Sequence, residues 1–210
     1  MNALEQYTSD LFAPEDEVLR ELRAEMARRN IPEINVNALE GRLLQFLLRS
    51  ISGRKALEIG SLAGYSGIWI ARALPAGGKL VTLELNPHHA ATAREFYAKA
   101  GVADKIELRE GAALDILPQL GTEAPFDFCF IDADKSNNAA YLQHALRLVR
   151  PGGIIAVDNA YRHGTILDPN DNSPDTQGVR ECNRLMASDL RLFSTIITTT
   201  DGLAVGLVKP

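Results

Sequence analysis

The chain has 210 residues, 46% of them hydrophobic, and a formal net charge of −5. That is enough apolar material for one domain with a full core, and the acidic balance argues against a broad phosphate-binding face and so against nucleic acid as the partner. No apolar run reaches the roughly 18 to 20 residues that span a bilayer, and the polar start Met1–Asp10 lacks the basic and apolar segments of a secretory leader.

Taken in order, residues 15–29 place Val18, Leu19, Leu22 and Met26 at helical spacing just after Pro14. Pro32 interrupts, and Leu39–Ile51 forms a second apolar-faced helix. These make a helical cap over 1–52. From Lys55 strand and helix signals alternate: strand Ala56–Ile59, helix Tyr65–Leu74, strand Lys79–Leu85, helix Pro87–Ala100, strand Lys105–Arg109 and a short helix Leu114–Leu120 containing Pro118. Strand Phe126–Ile131, helix Asn137–Val149 closed by Pro151-Gly152-Gly153, and strand Gly153–Val157 follow. A polar loop, Ala160–Asp175, precedes a helix over Thr176–Ala187 and reads as a substrate-facing lid. The chain ends in β-rich runs, Leu192–Thr199 and Leu203–Val208, around the hairpin signal Asp201-Gly202. The expected core over 53–210 is a Rossmann-like, doubly wound, seven-stranded and mostly parallel sheet with an antiparallel C-terminal hairpin strand. Cys129, in a strand, and Cys182, on a helix, read as core thiols of a reducing cytoplasm rather than a disulfide.

Two apolar strands stop in oxygen-bearing side chains, at Asp132 and at Asp158-Asn159. Ligands of open α/β sheets sit outside such strand ends. Asp132, Asp158 and Asn159 therefore converge as an all-oxygen set suited to Mg²⁺, Mn²⁺ or Ca²⁺. Lys135, three residues on, is placed to act as a general base near a cation. The first turn, Gly60-Ser-Leu-Ala-Gly-Tyr-Ser66, gives backbone freedom at a helix N-terminus. It is not a dinucleotide fingerprint, since Leu62 occupies the second glycine position, and no P-loop lysine follows. Glu84, ending the next strand, is placed to accept both hydroxyls of a ribose. His88, His89 and His144 read as helix-surface residues, and Tyr65, Trp69 and Tyr141 as packing.

The runs Leu57-Glu58-Ile59-Gly60, Gly64-Tyr65-Ser66, Thr82-Leu83-Glu84-Leu85-Asn86-Pro87, Gly111–Leu120, Ile131-Asp132-Ala133-Asp134-Lys135 and Asp158-Asn159 resemble the cation-dependent O-methyltransferase family of catechol and caffeoyl-CoA O-methyltransferases. The Asp-Ala-Asp-Lys form is closer to its caffeoyl-CoA and bacterial branch. The resemblance implies S-adenosylmethionine as cofactor. Glu84 would hold its ribose, Gly60, Ser61 and Ser66 its methionine moiety, Glu58 that turn or the amino group, Val36 would cover it, and Ala113 would meet the adenine. Asp132, shared with the cofactor side, would bind a divalent cation with Asp158 and Asn159, and Lys135 would be the base. It also implies a homodimer and a small catechol-like aromatic substrate. Rival readings are a tRNA hydroxyuridine O-methyltransferase, an NAD-dependent oxidoreductase and a non-catalytic cofactor-binding module.

Overall fold

A computed structural model describes residues 3–210. Seven strands form one sheet: β1 Lys55–Ile59, β2 Lys79–Glu84, β3 Ile106–Glu110, β4 Phe126–Ile131, β5 Val149–Val157, β6 Leu192–Ile197 and β7 Leu203–Val208. Their order is β3-β2-β1-β4-β5-β7-β6. β1 to β5 pair in parallel, and β7 runs antiparallel to both β5 and β6. The hairpin at Asp201-Gly202 thus supplies the single reversed strand, inserted between its own partner and β5.

Alternation along the strands assigns each side chain to a face. Ala56, Phe128, Phe130, Ile154 and Ala156 point to one core cluster, shared with helices α2 (Glu17–Arg28), α3 (Ala38–Ser50), α4 (Tyr65–Ala73) and α5 (Pro87–Lys99). Leu57, Ile59, Cys129, Ile131, Ile155 and Val157 point to the other, under α7 (Asn138–Leu148) and α8 (Pro174–Ser188). Both cysteines are buried and unbridged. Burial pushes the Cys182 thiol up to about 12.

Three segments differ from the sequence expectation. Ala3–Phe12 forms a helix, α1, that the polar start does not announce, because it buries only Ser9; the first two residues of that start lie outside the described residues. Val149–Gly153 does not simply end a helix. It enters β5 as a bulge, the register stepping from Phe126↔Val149 to Phe128↔Ile154. The helix expected over 114–120 splits into α6 (Ala113–Ile116) and a 3₁₀ stretch Leu117–Thr122, since Pro118 has no N–H to continue an α-helix. No helix of the described residues is long and apolar enough to cross a membrane.

Candidate active site

The chain builds β1, β2 and β3 outward in one direction, then returns to β4 on the far side of β1. The reversal opens a crevice beyond the carboxyl ends of β1 and β4. A cleft of about 910 Å³ occupies it, at the upper end of the roughly 300–1,000 Å³ usual for small-molecule sites.

The β1–α4 turn forms one wall. Gly60 has φ +94°, and a Cβ there would lie 2.2 Å from the Asp132 carbonyl oxygen. The turn is stitched to both neighbouring strands: the Gly60 N–H donates to Leu83 O (3.0 Å) and the Asp132 N–H to Ile59 O (2.9 Å). Glu84 is 8% exposed, so it is no surface cap. Its Oε2 accepts the N–H groups of Ser61 (3.2 Å) and Leu62 (2.7 Å), and its Oε1 accepts that of Asn86 (2.9 Å). His89 Nδ1 lies 3.4 Å from the same Oε1, a correction to its reading as a helix-surface residue. Behind the turn the Ser61 and Tyr97 hydroxyls are 2.7 Å apart, and a Cβ on Gly64 or Gly67 would strike the Tyr97 ring or hydroxyl. Tyr97 is a support that sequence reading missed; only the two glycines, read as a turn, hint at a large neighbour.

Glu58 is fully buried. The Thr82 hydroxyl donates to its Oε2, while Oε1 has no hydrogen-bond partner. Burial pushes its carboxyl up to about 7, with the Ser66 and Thr82 hydroxyls opposing the shift. Ser66 and Val36, both nearly buried, line the cleft, as does Ala113 at the start of α6. Leu85, 70% exposed, joins the lining beside Glu84. Sequence reading ran it into the strand.

The other wall carries the oxygen donors. Ile131 pairs with Val157 in register, and the Asp158 N–H donates to Ile131 O (3.0 Å), so Asp132 and Asp158 leave neighbouring strands side by side. Adjacent strands lie about 4.8 Å apart. Asp132 and Asn159 line the cleft; Asp158, like Glu58, is buried behind the lining. Asp158 Oδ1 is enclosed and unpartnered. Burial, then the charges of Asp132 and Glu40, hold its carboxyl well above the usual range. Asn159 has φ +57°. Among the described residues no group of three or more His, Cys, Asp or Glu side chains is arranged for a metal. The set here is two carboxylates and an amide, and an orphaned buried carboxylate oxygen beside a second acid fits a hard cation.

Lys135 donates from Nζ to Asp132 Oδ1 (2.6 Å), not to Asp134, and its side chain is only 12% exposed. α8 presses on its backbone: a Cβ at Gly178 would lie 2.2 Å from Lys135 O. Asp134 instead accepts from the Tyr141 hydroxyl, Asn137 and Ser136. Tyr141 is thus a cleft-lining residue as well as a packing one.

The Ala160–Asp175 segment is pinned at several points. The N–H groups of Ala160 and Tyr161 donate to Gly202 O and Asp201 O (both 2.8 Å), and the His163 N–H to Asp201 Oδ1 (2.6 Å). Arg180 of α8 donates to four of its carbonyls, those of Thr165, Ile166, Asp168 and Asp171. Arg162 and His163 reach the cleft, with Arg162 paired to Asp175 (3.0 Å).

Fold and crevice define a Rossmann-like α/β protein with its ligand site at the switch point of the sheet. The O-methyltransferase family model matches residues 7–209. The chain belongs to this family and is an O-methyltransferase, which removes the oxidoreductase and non-catalytic readings. It is 42% identical to a catechol O-methyltransferase of Niastella koreensis over 214 residues, covering 99% of this chain and 97% of the relative. The O-methyltransferase of Bacillus cereus, solved in complex with SAH, superposes with a TM-score of 0.94 at 43% identity, covering 99% and 98%. TomG of Streptomyces achromogenes, in complex with SAM, superposes with a TM-score of 0.94 at 39% identity, covering 100% and 97%.

Proposed function

We propose that the chain transfers the methyl group of S-adenosylmethionine to one hydroxyl of a small vicinal-dihydroxy aromatic, with a divalent cation, Mg²⁺ first, at Asp132, Asp158 and Asn159. The observation that carries the reading is the pairing of Asp132 with the enclosed, unpartnered Asp158 Oδ1, one strand from the Gly60 turn. When bound, the cation supplies Lewis-acid stabilisation of a hydroxyl oxygen losing its proton.

The chain's own residues do the rest. Glu84 offers its carboxylate to the cofactor's ribose, the unpartnered Glu58 Oε1 behind the lining is left to support that turn or the amino group, and Val36 and Leu85 exclude water. Ser61, Ser66 and Ala113 complete the cofactor wall. Lys135 Nζ, acting as the free amine, accepts the substrate hydroxyl's proton, while the oxygen's electron pair forms the C–O bond and the C–S bond breaks to leave S-adenosylhomocysteine. Holding the two reactants in line is worth about 7–11 kcal/mol in well-oriented intramolecular reactions. The net charge of −5 supports a small molecule over tRNA as the acceptor. Exposed Tyr7, Leu11, Phe12 and Phe46 on α1 and α3 support a homodimer, and two buried free thiols a reducing cytoplasm.

The test is a methylation assay across catechols, caffeoyl thioesters and hydroxylated tRNA, with and without chelator. Lys135→Ala is expected to lower kcat by about 10²- to 10⁴-fold, leaving the Kd for S-adenosylhomocysteine within about threefold. Equal kcat in variant and wild type removes Lys135 from the mechanism; turnover indifferent to chelator removes the cation.

A further inference from the structure

Glu84 is held by three backbone N–H groups, those of Ser61, Leu62 and Asn86, and by one side chain. His89 Nδ1 lies 3.4 Å from Oε1, and the two side chains are only 17% and 9% exposed. This contact has no part in the mechanism above, and His89 stands outside the cleft lining. What the imidazole does to Glu84 depends on which ring nitrogen carries the proton. The cap of α5 decides that.

Asn86 is the N-cap of α5, and its Oδ1 accepts the His88 N–H (2.9 Å). With the oxygen committed to the cap, the amide can offer its other neighbour only the NH₂ group. That group, Nδ2, meets His89 Nε2 at 3.4 Å. A donor aimed at Nε2 calls for a lone pair there, so the proton belongs on Nδ1, facing Glu84. The opposite neutral tautomer fails twice: it sets N–H against N–H at Asn86 and a lone pair against a carboxylate at Glu84. His88 is fixed the other way. Its Nε2 lies 3.0 Å from the Arg29 carbonyl oxygen, which can only accept, so His88 carries its proton on Nε2.

We propose that His89, in its Nδ1–H tautomer, is a positioning residue that orients Glu84 for the ribose hydroxyls of the cofactor. This rests on the ribose reading of Glu84 above. At 3.4 Å the ring N–H is too distant to occupy a lone pair of Oε1, and it leaves that oxygen open to a hydroxyl. Its dipole is poorly screened, because both side chains are largely enclosed, and it still holds the carboxylate in this rotamer. The relay runs from helix cap to amide, from amide to imidazole and from imidazole to carboxylate. Outer partners fix the tautomer of a metal-binding histidine in the same way.

NMR and calorimetry test it together. ¹⁵N–¹H spectra of the histidine rings, at a pH where they are neutral and with His89→Asn for assignment, read the tautomers: His89 is expected as Nδ1–H and His88 as Nε2–H. His89 found as Nε2–H overturns the proposal. Calorimetry follows the Kd of S-adenosylhomocysteine and of its 2′,3′-dideoxy analogue. His89→Phe, which has no ring N–H, is expected to weaken S-adenosylhomocysteine about fivefold or more, less than a full hydrogen bond to a charged group because the contact is long, and the dideoxy analogue less than about twofold. His89→Asn places an amide nitrogen about where Nδ1 stands and should keep both ligands within about twofold. A merely structural residue would weaken both ligands alike in His89→Phe; that result, or no weakening of either, is fatal. A wild type that binds the two ligands equally overturns the ribose reading of Glu84 and this inference with it. Should His89→Phe fail to fold, His89→Gln, whose amide reaches about the Nε2 position instead, takes its place with the same expectation.

Discussion

Gly60 carries two constraints in one backbone position. Its φ of +94° disfavours any residue with a Cβ, and that Cβ would sit 2.2 Å from the carbonyl of Asp132. The first effect costs about 1–2 kcal/mol in left-handed backbone. The second cannot be relieved by a rotamer change, because the obstacle is main chain. Relief must move either the turn that meets Glu84 or the strand end that carries Asp132. Gly60→Ala is therefore expected to weaken binding of S-adenosylhomocysteine and of Mg²⁺ together, each by more than about tenfold. Gly121→Ala, where an added Cβ meets nothing within 4 Å, should leave both unchanged. Calorimetry on the two variants checks this; loss of one affinity with the other intact would separate what Gly60 is argued to join.

At the level of elements, the long segment after Asn159 depends on α8. Arg180 spends its guanidinium on four backbone carbonyls of that segment, and charge-assisted hydrogen bonds of this kind are worth about 1.5–3 kcal/mol each when nothing replaces them. Water can replace part of the set at a half-buried site, so Arg180→Ala is expected to cost about 1–3 kcal/mol in global stability. The larger effect is local: proteolysis within residues 162–171 should speed up about tenfold or more, and KM for the methyl acceptor should rise while cofactor affinity stays within about twofold. A protease-resistant segment in the variant would mean the clamp is redundant. This clamp was not legible in the sequence, where a run of Asn, Asp and Pro reads as a lid and Arg180 as one helix arginine among several. The parallel strands were legible, because the inner ones are buried on both faces and each ends at glycine or an acid. So were Glu84, Asp132, Asp158 and Asn159, since a strand end fixes where its last side chain goes. What failed depended on contacts between distant elements: the approach of His89 to Glu84, Tyr97 beneath the turn, and α1, whose docking on α3 buries too little to leave an amphipathic trace.

Across the whole molecule, the acids that build the crevice oppose the stability of the empty protein. Glu58, Asp158 and Glu40 all have carboxyls held above their ordinary values, by burial first and by neighbouring acids after it. Each binds its proton more tightly folded than unfolded, so the stability it contributes is complete below the unfolded value and drains away as pH rises to the folded one. For Glu58 that window runs from 4.5 to about 7, a cost of order 3 kcal/mol. Asp171 and Asp189 pull the other way, held down to about 2 by hydrogen bonds. They act only as pH falls below the ordinary carboxylate range, and solvent screens them at the surface. The protein without cation should therefore lose Tm between pH 5 and 8, against the usual tendency toward a maximum in that range. A ligand present at about 100 times its Kd returns about 2.7 kcal/mol, so Mg²⁺ should flatten the profile at pH 8. Asp158→Asn removes the buried charge without removing volume: its cation-free Tm at pH 8 should exceed the wild type's, and Mg²⁺ should no longer raise it. Thermal unfolding of both proteins at three pH values, with Mg²⁺ or chelator, reads all of this at once. A cation-free profile that rises from pH 5 to 8, or an Asp158→Asn variant that Mg²⁺ stabilises as much as wild type, would mean that the strand-end acids are ordinary buried polar groups and the crevice holds no cation.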